Sequence, residues 1–325
     1  MGQHIATHLM NTGKHVVTAI TRPGSTNKLP EGLKVAIVDY SSDDDTDLVK
    51  ALEGQQALII TMSHHAPRDT TLKLIRAAAK AGVDFILPNW YGHDSRNKKL
   101  CDESMLTQTL DNITSEIERL GVSSYLLLVC GFWYSWSLAG GEDRFGFDFK
   151  KRSMVFFDDG TTPINTSTFP QCGKAIANVL SLKVQPDDES DTSPTLSQFR
   201  NKPIYISSFR ASQRDMFESV KRVTGTVDDD WKITHESSED RWERGTERVH
   251  KGDLVGFIEM MYSRCFFKDG GGEFESTRGL HNELLGLPTE DLDEWTAVGV
   301  RMATGNEYDY EKGARLTEAP FEMKK

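Results

Sequence analysis

The chain has 325 residues and a net charge of −11 at pH 7, with 38% hydrophobic and 27% charged residues. These proportions are ordinary for a globular protein, and the length fits one large α/β unit or two fused ones. The acidic balance disfavours nucleic acid and anionic membrane surfaces as partners, because both are bound through basic faces. No stretch approaches the roughly 18 apolar residues of a membrane-spanning helix, and no signal pattern opens the chain. We therefore expect a cytoplasmic protein.

The cysteine spacing argues against covalent or metal cross-links. The four cysteines lie far apart in the sequence and include no C-x-x-C pair: Cys101, Cys130, Cys172 and Cys265. Such spacing disfavours a disulfide framework and a zinc site. It is typical of a protein from a reducing compartment, and we expect no bound metal.

Hydrophobic periodicity predicts alternating helices and strands over the first 131 residues. In chain order these are a helix at 2–12, strands at 15–21 and 35–40, a helix at 46–52, a strand at 57–63, a helix at 70–82, a strand at 84–90, a helix at 101–121 and a strand at 124–131. The alternation indicates an α/β fold with a doubly wound parallel sheet. The predicted strands are apolar on both faces, as parallel strands covered by helices are.

The alternation becomes less regular after about residue 140. The elements predicted there are a strand at 154–160, a helix at 172–182, a strand at 202–209 and a helix at 212–225, with the last fifteen residues as extended surface. We therefore place a larger α/β domain at 1–145 and a smaller α+β domain at 146–325.

The start of the chain departs from a standard doubly wound fold. Such a fold begins with a strand and a glycine-rich turn, and the following helix N-terminus holds a dinucleotide pyrophosphate. Here the first helix begins one residue after Met1, and Gly2 occupies the place of the last glycine of that turn. Two interpretations remain open: a misassigned start codon or shortened sequence, and a natural variant. The sequence as given therefore predicts a Rossmann-like sheet with its first strand missing.

Charged and polar residues follow the predicted strands, at the edge where such sheets bind ligands. Arg22 follows the strand at 15–21, where an arginine accommodates the 2′-phosphate of NADP; a solvated turn residue is the alternative. Lys28 could add a second charge. Asp39 could bond a cofactor adenine or cap a turn. The pattern favours NADP over NAD as the cofactor of the first domain.

Two aromatic segments supply candidate substrate contacts. The loop at 88–94, PNWYGHD, contains Tyr91 and His93 as candidate proton donors, with a packed aromatic loop as the alternative. The segment at 129–138, VCGFWYSWSL, contains a third candidate, Tyr134, among aromatic residues that either wall a substrate pocket or form a core between the two halves. We expect a small aromatic molecule as substrate, and a homodimer is compatible with these features.

Five segments together resemble the NmrA-like, isoflavone-reductase-like group of atypical short-chain dehydrogenases, especially its fungal branch of pigment and secondary-metabolite pathways. They are GQHIATHLMNTGKHVVTAITR, FILPNWYGHD, GVSSYLLLVCGFWYSWSL, MVFFDDGTTPINTSTFPQCGKAIANVL and ISSFRASQRDMFESVKRVTG. They are spread over most of residues 2–225, and they are specific to the family but not to a substrate.

The resemblance implies an NADPH-dependent reductase of an aromatic or polyketide-like molecule, with the smaller domain holding the substrate. Arg22 would hold the 2′-phosphate, with Asp39 and Tyr40 beside the adenine. The implied contacts to the ribose, the phosphates and the nicotinamide are Thr61, Met62, Ser63, Pro88, Asn89, Cys130, Gly131, Phe132 and Trp133.

Two departures from the family pattern matter. The motif G-x-x-G-x-x-G is reduced to Gly2, and the family's proton-relay lysine is replaced by Leu110, eleven residues before Gly121. A leucine cannot transfer protons, so either one of the three candidate donors does so or the chain does no reduction. The sequence leaves three hypotheses: a reductase, a catalytically inert NADP-binding redox sensor, and the non-functional product of a truncated reading frame.

Overall fold

The computed structural model describes residues 1–27, 29–63, 66–67 and 69–305, with the backbone alone at Leu254. In these residues the helices are α1 (Gly2–Asn11), α2 (Thr46–Leu52), α3 (Thr70–Lys80), α4 (Lys98–Glu103), α5 (Thr107–Leu120), α6 (Tyr134–Leu138), α7 (Phe169–Leu180), α8 (Gln213–Thr224), α9 (Ser238–His250), α10 (Leu254–Cys265), α11 (Glu275–Arg278) and α12 (Leu292–Thr304). The strands are β1 (Thr18–Thr21), β2 (Lys34–Ile37), β3 (Ala57–Ile59), β4 (Phe85–Leu87), β5 (Tyr91–Gly92), β6 (Ser124–Val129), β7 (Phe132–Trp133), β8 (Phe147–Asp148), β9 (Ser153–Phe157), β10 (Ile164–Ser167), β11 (Lys202–Tyr205), β12 (Phe209–Ala211) and β13 (Lys232–Glu236).

The chain forms two compact units, each built from separate stretches of sequence. Unit 1 comprises Met1–Cys130, Phe169–Ser207 and Arg278–Pro288. Unit 2 comprises Gly131–Thr168, Ser208–Thr277 and the described residues from Thr289 onward. The single boundary predicted at residue 145 does not reproduce this division, because α7 and β11 follow residue 145 and still belong to unit 1.

Unit 1 is built on a parallel sheet in the order β11-β6-β4-β3, with β5 also paired to β6. β4 is buried along its whole length, as expected for a strand covered on both faces. Helices α2, α3 and α5 contribute the apolar residues of the main core, which include Leu48, Leu52, Leu74, Ile75, Ile113 and Ile117. The predicted Rossmann-like α/β fold is confirmed.

Strands β1 and β2 form a separate two-stranded parallel sheet within unit 1. In the part of the chain that the structure describes, no hydrogen bond joins β1 to β3. Ile20 of β1 nevertheless packs against the same apolar core as Leu58 of β3. In the described residues, two sheets that are not hydrogen-bonded to each other therefore pack on the same apolar core of unit 1.

Helix α1 packs against α7, and a glycine permits their close approach. A Cβ atom on Gly173 would lie 2.7 Å from the His4 carbonyl oxygen and 2.9 Å from the His8 ring. The His4 ring also stacks on Phe169, with 5.5 Å between ring centroids. The buried side chains of α1 are Ile5 and Leu9. Their burial, at about 1.5–3 kcal/mol per aliphatic side chain, anchors α1 in unit 1.

The stretch Arg278–Pro288 covers the outer edge of β11. The His281 amide donates to the Tyr205 carbonyl, and the Tyr205 amide donates to His281 Nδ1 at 3.0 Å. Asn282 bonds both the amide and the carbonyl of Ser207. These bonds satisfy backbone groups that an exposed edge strand would leave open.

Unit 2 contains two three-stranded sheets, β12-β10-β7 and β13-β9-β8, each with parallel and antiparallel pairs. Its core is rich in aromatic rings, among them Phe145, Phe147, Phe156 and Phe266. Helices α9 and α10 are joined by the buried carboxylate of Glu259, which accepts a bond from Arg248 at 2.9 Å and another from Arg244. This mixed arrangement agrees with the predicted α+β character of the second half.

Two differences from the predicted elements have local causes. The helix predicted at 101–121 is two helices, α4 and α5, because Met105 between them has a φ of 55° and ends the helical path. Of the unit 2 strands only β9 was predicted: β7, β8 and β12 have two or three residues and no periodicity to read, and β10 and β13 were missed as well. The surface predicted for the last fifteen residues lies outside the described residues.

Candidate cofactor-binding site

The carboxyl ends of the unit 1 strands carry most of the predicted cofactor contacts. α3 follows β3, and its Lys73 Nζ donates to the Ser41 carbonyl, just after β2, at 3.1 Å. The carboxyl ends of both unit 1 sheets therefore face the same end of α3. Ligands of doubly wound folds bind at this edge, where helix N-termini also point.

Gly2 begins α1 at this edge and lies against Thr61. A Cβ atom at Gly2 would approach Thr61 Oγ1 to 2.8 Å, so only a glycine fits there without movement of Thr61. The positive end of the α1 dipole and the Thr61 hydroxyl thus occupy one place, where a phosphate would be stabilised. The role of Gly2 as the last glycine of a phosphate-binding turn stays a prediction.

Arg22 lies exposed in a tight turn directly after β1. The Ser25 amide donates to the Arg22 carbonyl at 3.1 Å, and Gly24 takes a φ of 73°. The sequence Arg-Pro-Gly-Ser suits this turn, with proline and then glycine at its central positions. Arg22 is therefore an exposed residue directly after β1. Its contact with the 2′-phosphate of NADP stays a prediction. Lys28, the predicted second charge, lies outside the described residues.

Asp39 caps a turn after β2. Its Oδ1 atom accepts bonds from the Ser41 hydroxyl at 2.5 Å and the Ser41 amide at 3.0 Å. These bonds lower the pKa of the Asp39 carboxyl. The turn-capping alternative is thus present, and the second Asp39 oxygen remains at the exposed edge beside the half-buried Tyr40.

Asn89 and Met62 connect the ends of β3 and β4. Asn89 Nδ2 donates to the Met62 carbonyl at 3.2 Å, and Pro88 is buried at the end of β4. Thr61 and Ser63 are exposed on either side of Met62. The predicted contacts at 61–63 and 88–89 are therefore brought together in one exposed loop pair.

Tyr91 and His93 have structural partners within unit 1. The Tyr91 hydroxyl donates to the Ile60 carbonyl at 2.9 Å, and burial raises its pKa. His93 is 6% exposed, and its carbonyl accepts from the Trp90 indole at 3.0 Å. These contacts support the packed-loop alternative for 88–94, and the role of either residue as a proton donor stays a prediction.

The segment that follows β6 is split between the two units. Cys130 ends the unit 1 portion and is fully buried, with its amide bonded to the Gly92 carbonyl at 3.0 Å. Gly131 begins the unit 2 portion with a φ of 63°. A Cβ atom there would lie 1.9 Å from the Asn165 carbonyl oxygen, so a glycine is required.

The aromatic residues after Gly131 belong largely to the core of unit 2. Phe132 stacks on Tyr262 with 3.7 Å between centroids, and Tyr134 is fully buried with its hydroxyl 2.6 Å from Thr296 Oγ1. Burial raises the pKa of Tyr134. Both findings disfavour Tyr134 as the proton donor, while the half-buried Trp133 remains a candidate contact.

Leu110, at the position of the family's lysine, lies in a small apolar cluster. It is 9% exposed and packs with Trp90, Cys101 and Leu127. Burial raises the pKa of the neighbouring Cys101 thiol to about 11. The surroundings of Leu110 are therefore apolar, and they offer no replacement for the ammonium group of a relay lysine.

One polar cluster of unit 1 was not predicted. Asp94, which is 4% exposed, accepts bonds from the Tyr205 hydroxyl at 2.7 Å and from Arg278 Nε at 2.9 Å. Burial and then the Asp94 carboxylate raise the pKa of Tyr205. The three residues lie up to 184 positions apart in sequence, so no local pattern could have connected them.

Comparisons with known proteins identify the N-terminal part. Residues 1–118 match a family described as NAD(P)H-binding. The chain is 27% identical over 300 residues to oxidoreductase aprR of Aspergillus flavus, covering 90% of this chain and 93% of that protein. It is 23% identical over 297 residues to oxidoreductase poxI of Penicillium oxalicum, covering 88% and 86%. The chain is an NAD(P)H-dependent oxidoreductase by class.

The fold is that of isoflavone reductases and their relatives. A crystal structure of isoflavone reductase aligns with a TM-score of 0.65 and 17% identity, covering 91% of this chain and 94% of the other. A structure of pinoresinol-lariciresinol and phenylcoumaran benzylic ether reductases aligns with a TM-score of 0.69 and 18% identity over the same shares. The likeness shows the fold, and the family match over residues 1–118 supports an NAD(P)H cofactor. Membership of the isoflavone-reductase-like family stays a prediction.

Neither a membrane span nor a metal cluster is found in the described part of the chain. No helix there is long and apolar enough to cross a membrane. No group of three or more His, Cys, Asp or Glu side chains is placed to hold a metal ion.

Proposed function

We propose that the protein is an NADPH-dependent reductase of an aromatic or polyketide-like small molecule in fungal secondary metabolism. The observation that carries the choice of NADPH is the Arg22 turn, which presents a guanidinium at the carboxyl end of β1. An arginine binds a phosphate through two parallel hydrogen bonds, and NADH has no 2′-phosphate to receive them. The fungal relatives aprR and poxI, both named oxidoreductases, support the setting.

The residues of the chain fit the parts of the dinucleotide. The start of α1 at Gly2 and the Thr61 hydroxyl would hold a phosphate, and Arg22 would hold the 2′-phosphate. The bound dinucleotide would supply a hydride. Asn89, tied to Met62, would keep the loops after β3 and β4 in place around it. We propose Cys130, at the end of the unit 1 stretch after β6, as the contact nearest the nicotinamide.

An aromatic substrate is proposed on the side-chain content of the aromatic segments and on one structural neighbour. A structure described as AtPrR2 with NADP+ and (+)pinoresinol aligns with a TM-score of 0.64 and 18% identity, covering 92% of this chain and 95% of the other. Pinoresinol is the ligand of that protein. For the present chain, consumption of NADPH with a panel of aromatic polyketides and phenylpropanoids tests the substrate class; no turnover despite tight NADPH binding would contradict it.

The choice of cofactor is tested by Arg22→Ala. We expect the dissociation constant for NADPH to rise about 10–100-fold, because a hydrogen bond to a charged group contributes about 1.5–3 kcal/mol, while binding of NADH is unchanged. Isothermal titration calorimetry with both dinucleotides measures this. Lys50→Ala, which removes an exposed positive charge from α2, is the matched control. Equal weakening for NADPH and NADH would mean that Arg22 does not read the 2′-phosphate.

The apolar environment of Leu110 favours a second candidate function, an NADP-binding redox-sensing regulatory protein that has lost reduction. Its packing with Trp90, Cys101 and Leu127 leaves no proton-transferring group at this position. A stable protein partner whose binding follows the NADP/NADPH ratio, without NADPH consumption on any panel compound, would support it. Turnover of any panel compound would exclude it.

A further inference from the structure

The segment between β2 and α2 is anchored in unit 1 at both ends. Val38 directly follows β2, and its amide donates to the Thr21 carbonyl at 2.9 Å. Tyr40 packs against the apolar core of unit 1, and Leu48 of α2 is buried in the same core. The residues between these anchors, at 41–44, are exposed. Their position therefore depends on hydrogen bonds and not on apolar burial.

One lysine of α3 contacts this exposed segment. Lys73 Nζ donates to the Ser41 carbonyl at 3.1 Å and lies 3.5 Å from the Ser42 carbonyl oxygen. The same ammonium donates to Asp43 Oδ1 at 3.1 Å and lies 3.5 Å from Asp69 Oδ2. The Lys73 side chain is only 25% exposed. Because two of its partners are main-chain oxygens, Lys73 restrains the backbone of the segment as well as pairing with carboxylates.

The charge of Lys73 is balanced by the two carboxylates. Asp43 and Asp69 both have an oxygen within 3.5 Å of the ammonium. A phosphate beside Lys73 would be repelled by both carboxylates, which reduces its attraction to the ammonium. These contacts therefore favour a role of Lys73 in holding the segment over direct contact with a cofactor phosphate.

A second lysine of the same helix provides a comparison. Lys80, at the end of α3, donates to Asp45 Oδ2 at 2.5 Å, and its side chain is 59% exposed. Asp45 is the residue that precedes α2. This bond of Lys80 joins two side chains, whereas Lys73 also bonds the main chain. An ion pair with an exposed lysine contributes little to the order of a segment.

The restraint on Ser41 extends to Asp39. The Ser41 amide and hydroxyl both donate to Asp39 Oδ1, at 3.0 and 2.5 Å. The Ser42 amide donates to the Asp39 carbonyl at 3.3 Å. The position of the Asp39 carboxylate is therefore linked through Ser41 to the bond from Lys73, and a shift of Ser41 would also move Asp39.

We propose that Lys73 is a positioning residue for the adenine end of the dinucleotide. It holds the segment at 39–43 in place before the cofactor binds, so that less conformational entropy is lost on binding. This inference rests on the proposed NADPH-dependent function and on Asp39 and Tyr40 as contacts beside the adenine. The adenine is common to NADPH and NADH. Lys73 therefore supports the binding of both dinucleotides, whereas Arg22 distinguishes between them.

The first test measures amide hydrogen exchange in the full chain without cofactor. Lys73→Met removes the ammonium and keeps an unbranched stem, and Lys80→Met is the matched control on the same helix. We expect the amides at 41–44 to exchange about three- to tenfold faster in Lys73→Met, because the restraint on the Ser41 carbonyl is lost. Exchange in Lys80→Met should equal that of the unmodified chain. Lys73→Arg, which keeps a positive charge and several donors, should restore most of the protection.

The second test measures dissociation constants by isothermal titration calorimetry. For Lys73→Met, those of NADPH and NADH should rise by the same factor, about three- to tenfold, since ordering of the segment then opposes binding. Reduced nicotinamide mononucleotide contains no adenine, so its dissociation constant should not change. A general loss of structure would weaken binding of the mononucleotide as well, which distinguishes such a loss from a positioning role.

Two results would overturn the inference. One is exchange at 41–44 and dinucleotide affinity in Lys73→Met that equal those of Lys80→Met. The other is weaker binding of NADPH alone, because this would mean that Lys73 contacts the 2′-phosphate. The proposed function fails separately, if the unmodified chain binds neither dinucleotide. Faster exchange at 41–44 in Lys73→Met but not in Lys80→Met would then still show that Lys73 holds the segment.

Discussion

Gly131 combines two backbone requirements at the point where the chain passes from unit 1 to unit 2. Its φ of 63° disfavours any side chain, and a Cβ would lie 1.9 Å from the Asn165 carbonyl oxygen. Asn165 cannot move aside, because it is paired with Arg210 in β12 and its amide bonds the Gly272 carbonyl at 3.0 Å. The glycine is therefore needed for packing as well as for the turn.

The variant Gly131→Ala should lose about 3 kcal/mol or more of unfolding free energy, because overpacking adds to left-handed strain. Gly121→Ala is the matched control: its φ is 68° and nothing lies within 4 Å of an added Cβ, so it should lose only about 1 kcal/mol. Urea denaturation followed by circular dichroism measures both. Equal losses of unfolding free energy in the two variants would mean that Asn165 moves away from the added Cβ without destabilising the protein.

Sequence reasoning proposed Gly131 and Arg22 as cofactor contacts but could not foresee the partners of the proposed proton donors. A tyrosine in a loop is compatible with catalysis or with packing, and the difference depends on its neighbours. The Ile60 carbonyl bonds Tyr91, and Thr296 bonds Tyr134 across 162 residues. Such contacts depend on tertiary structure, and single-sequence patterns do not contain them.

At the scale of elements, most strands and helices of residues 1–131 were predictable because they have a clear period and end at glycine or a turn. α1, α2 and α3 agree with the predicted helices to within two residues. The predicted strand at 57–63 extends beyond β3, because its last residues form the exposed loop that Asn89 joins. β-propensity indicates which residues can adopt an extended conformation, whereas hydrogen bonding to a neighbouring strand determines which of them form a strand.

The contact between α1 and α7 should depend on pH through two histidines. Burial and then the Lys174 charge lower the pKa of His8 below 6.5, and burial and then Lys14 lower that of His15, whose Nε2 lies 2.8 Å from Ser181 Oγ. The unfolded chain then binds protons more readily than the folded one. Stability contributed by the neutral rings is present above pH 6.5 and is lost as the pH falls from there through the lowered values.

The double variant His8→Gln and His15→Gln should therefore lose less stability than the natural chain between pH 7.5 and about pH 5. Urea denaturation at a series of pH values measures the difference. His250→Gln, at an exposed position at the end of α9, is the control and should follow the natural profile. A double variant with the same pH profile as the natural chain would show that protonation of these rings is not linked to the packing of α1.

At the scale of the whole molecule, the chain crosses repeatedly between its two units. After the chain has entered unit 2 it returns to unit 1 twice, at Phe169–Ser207 and at Arg278–Pro288. α7 then packs on α1, and β11 completes the parallel sheet beside β6. Folding of unit 1 therefore requires contacts between distant parts of the sequence. The domain boundary predicted at residue 145 divides the chain only once, so it could not describe a unit built from three separate stretches.

Asp94 connects three of these distant stretches, so its replacement should lower the unfolding free energy of unit 1 as a whole. Its carboxylate bonds Tyr205 of β11 at 2.7 Å and Arg278 at 2.9 Å, and Oδ1 also accepts from the Arg96 amide at 2.9 Å. Asp94→Asn keeps the shape but removes the charge and one acceptor. We expect a loss of about 2 kcal/mol, since the charged hydrogen bonds are replaced and a buried donor is left unpaired.

The loss should be accompanied by faster amide exchange in Arg278–Pro288, because Arg278 joins the start of this stretch to Asp94, next to the His281 contact with β11. Asp43→Asn, which removes a fully exposed carboxylate paired with Lys73, is the control and should change neither quantity measurably. Denaturation and exchange are measured on the same samples. If Asp94→Asn lowered stability while exchange in 278–288 stayed unchanged, Asp94 would stabilise its own loop and not the return of the chain to unit 1.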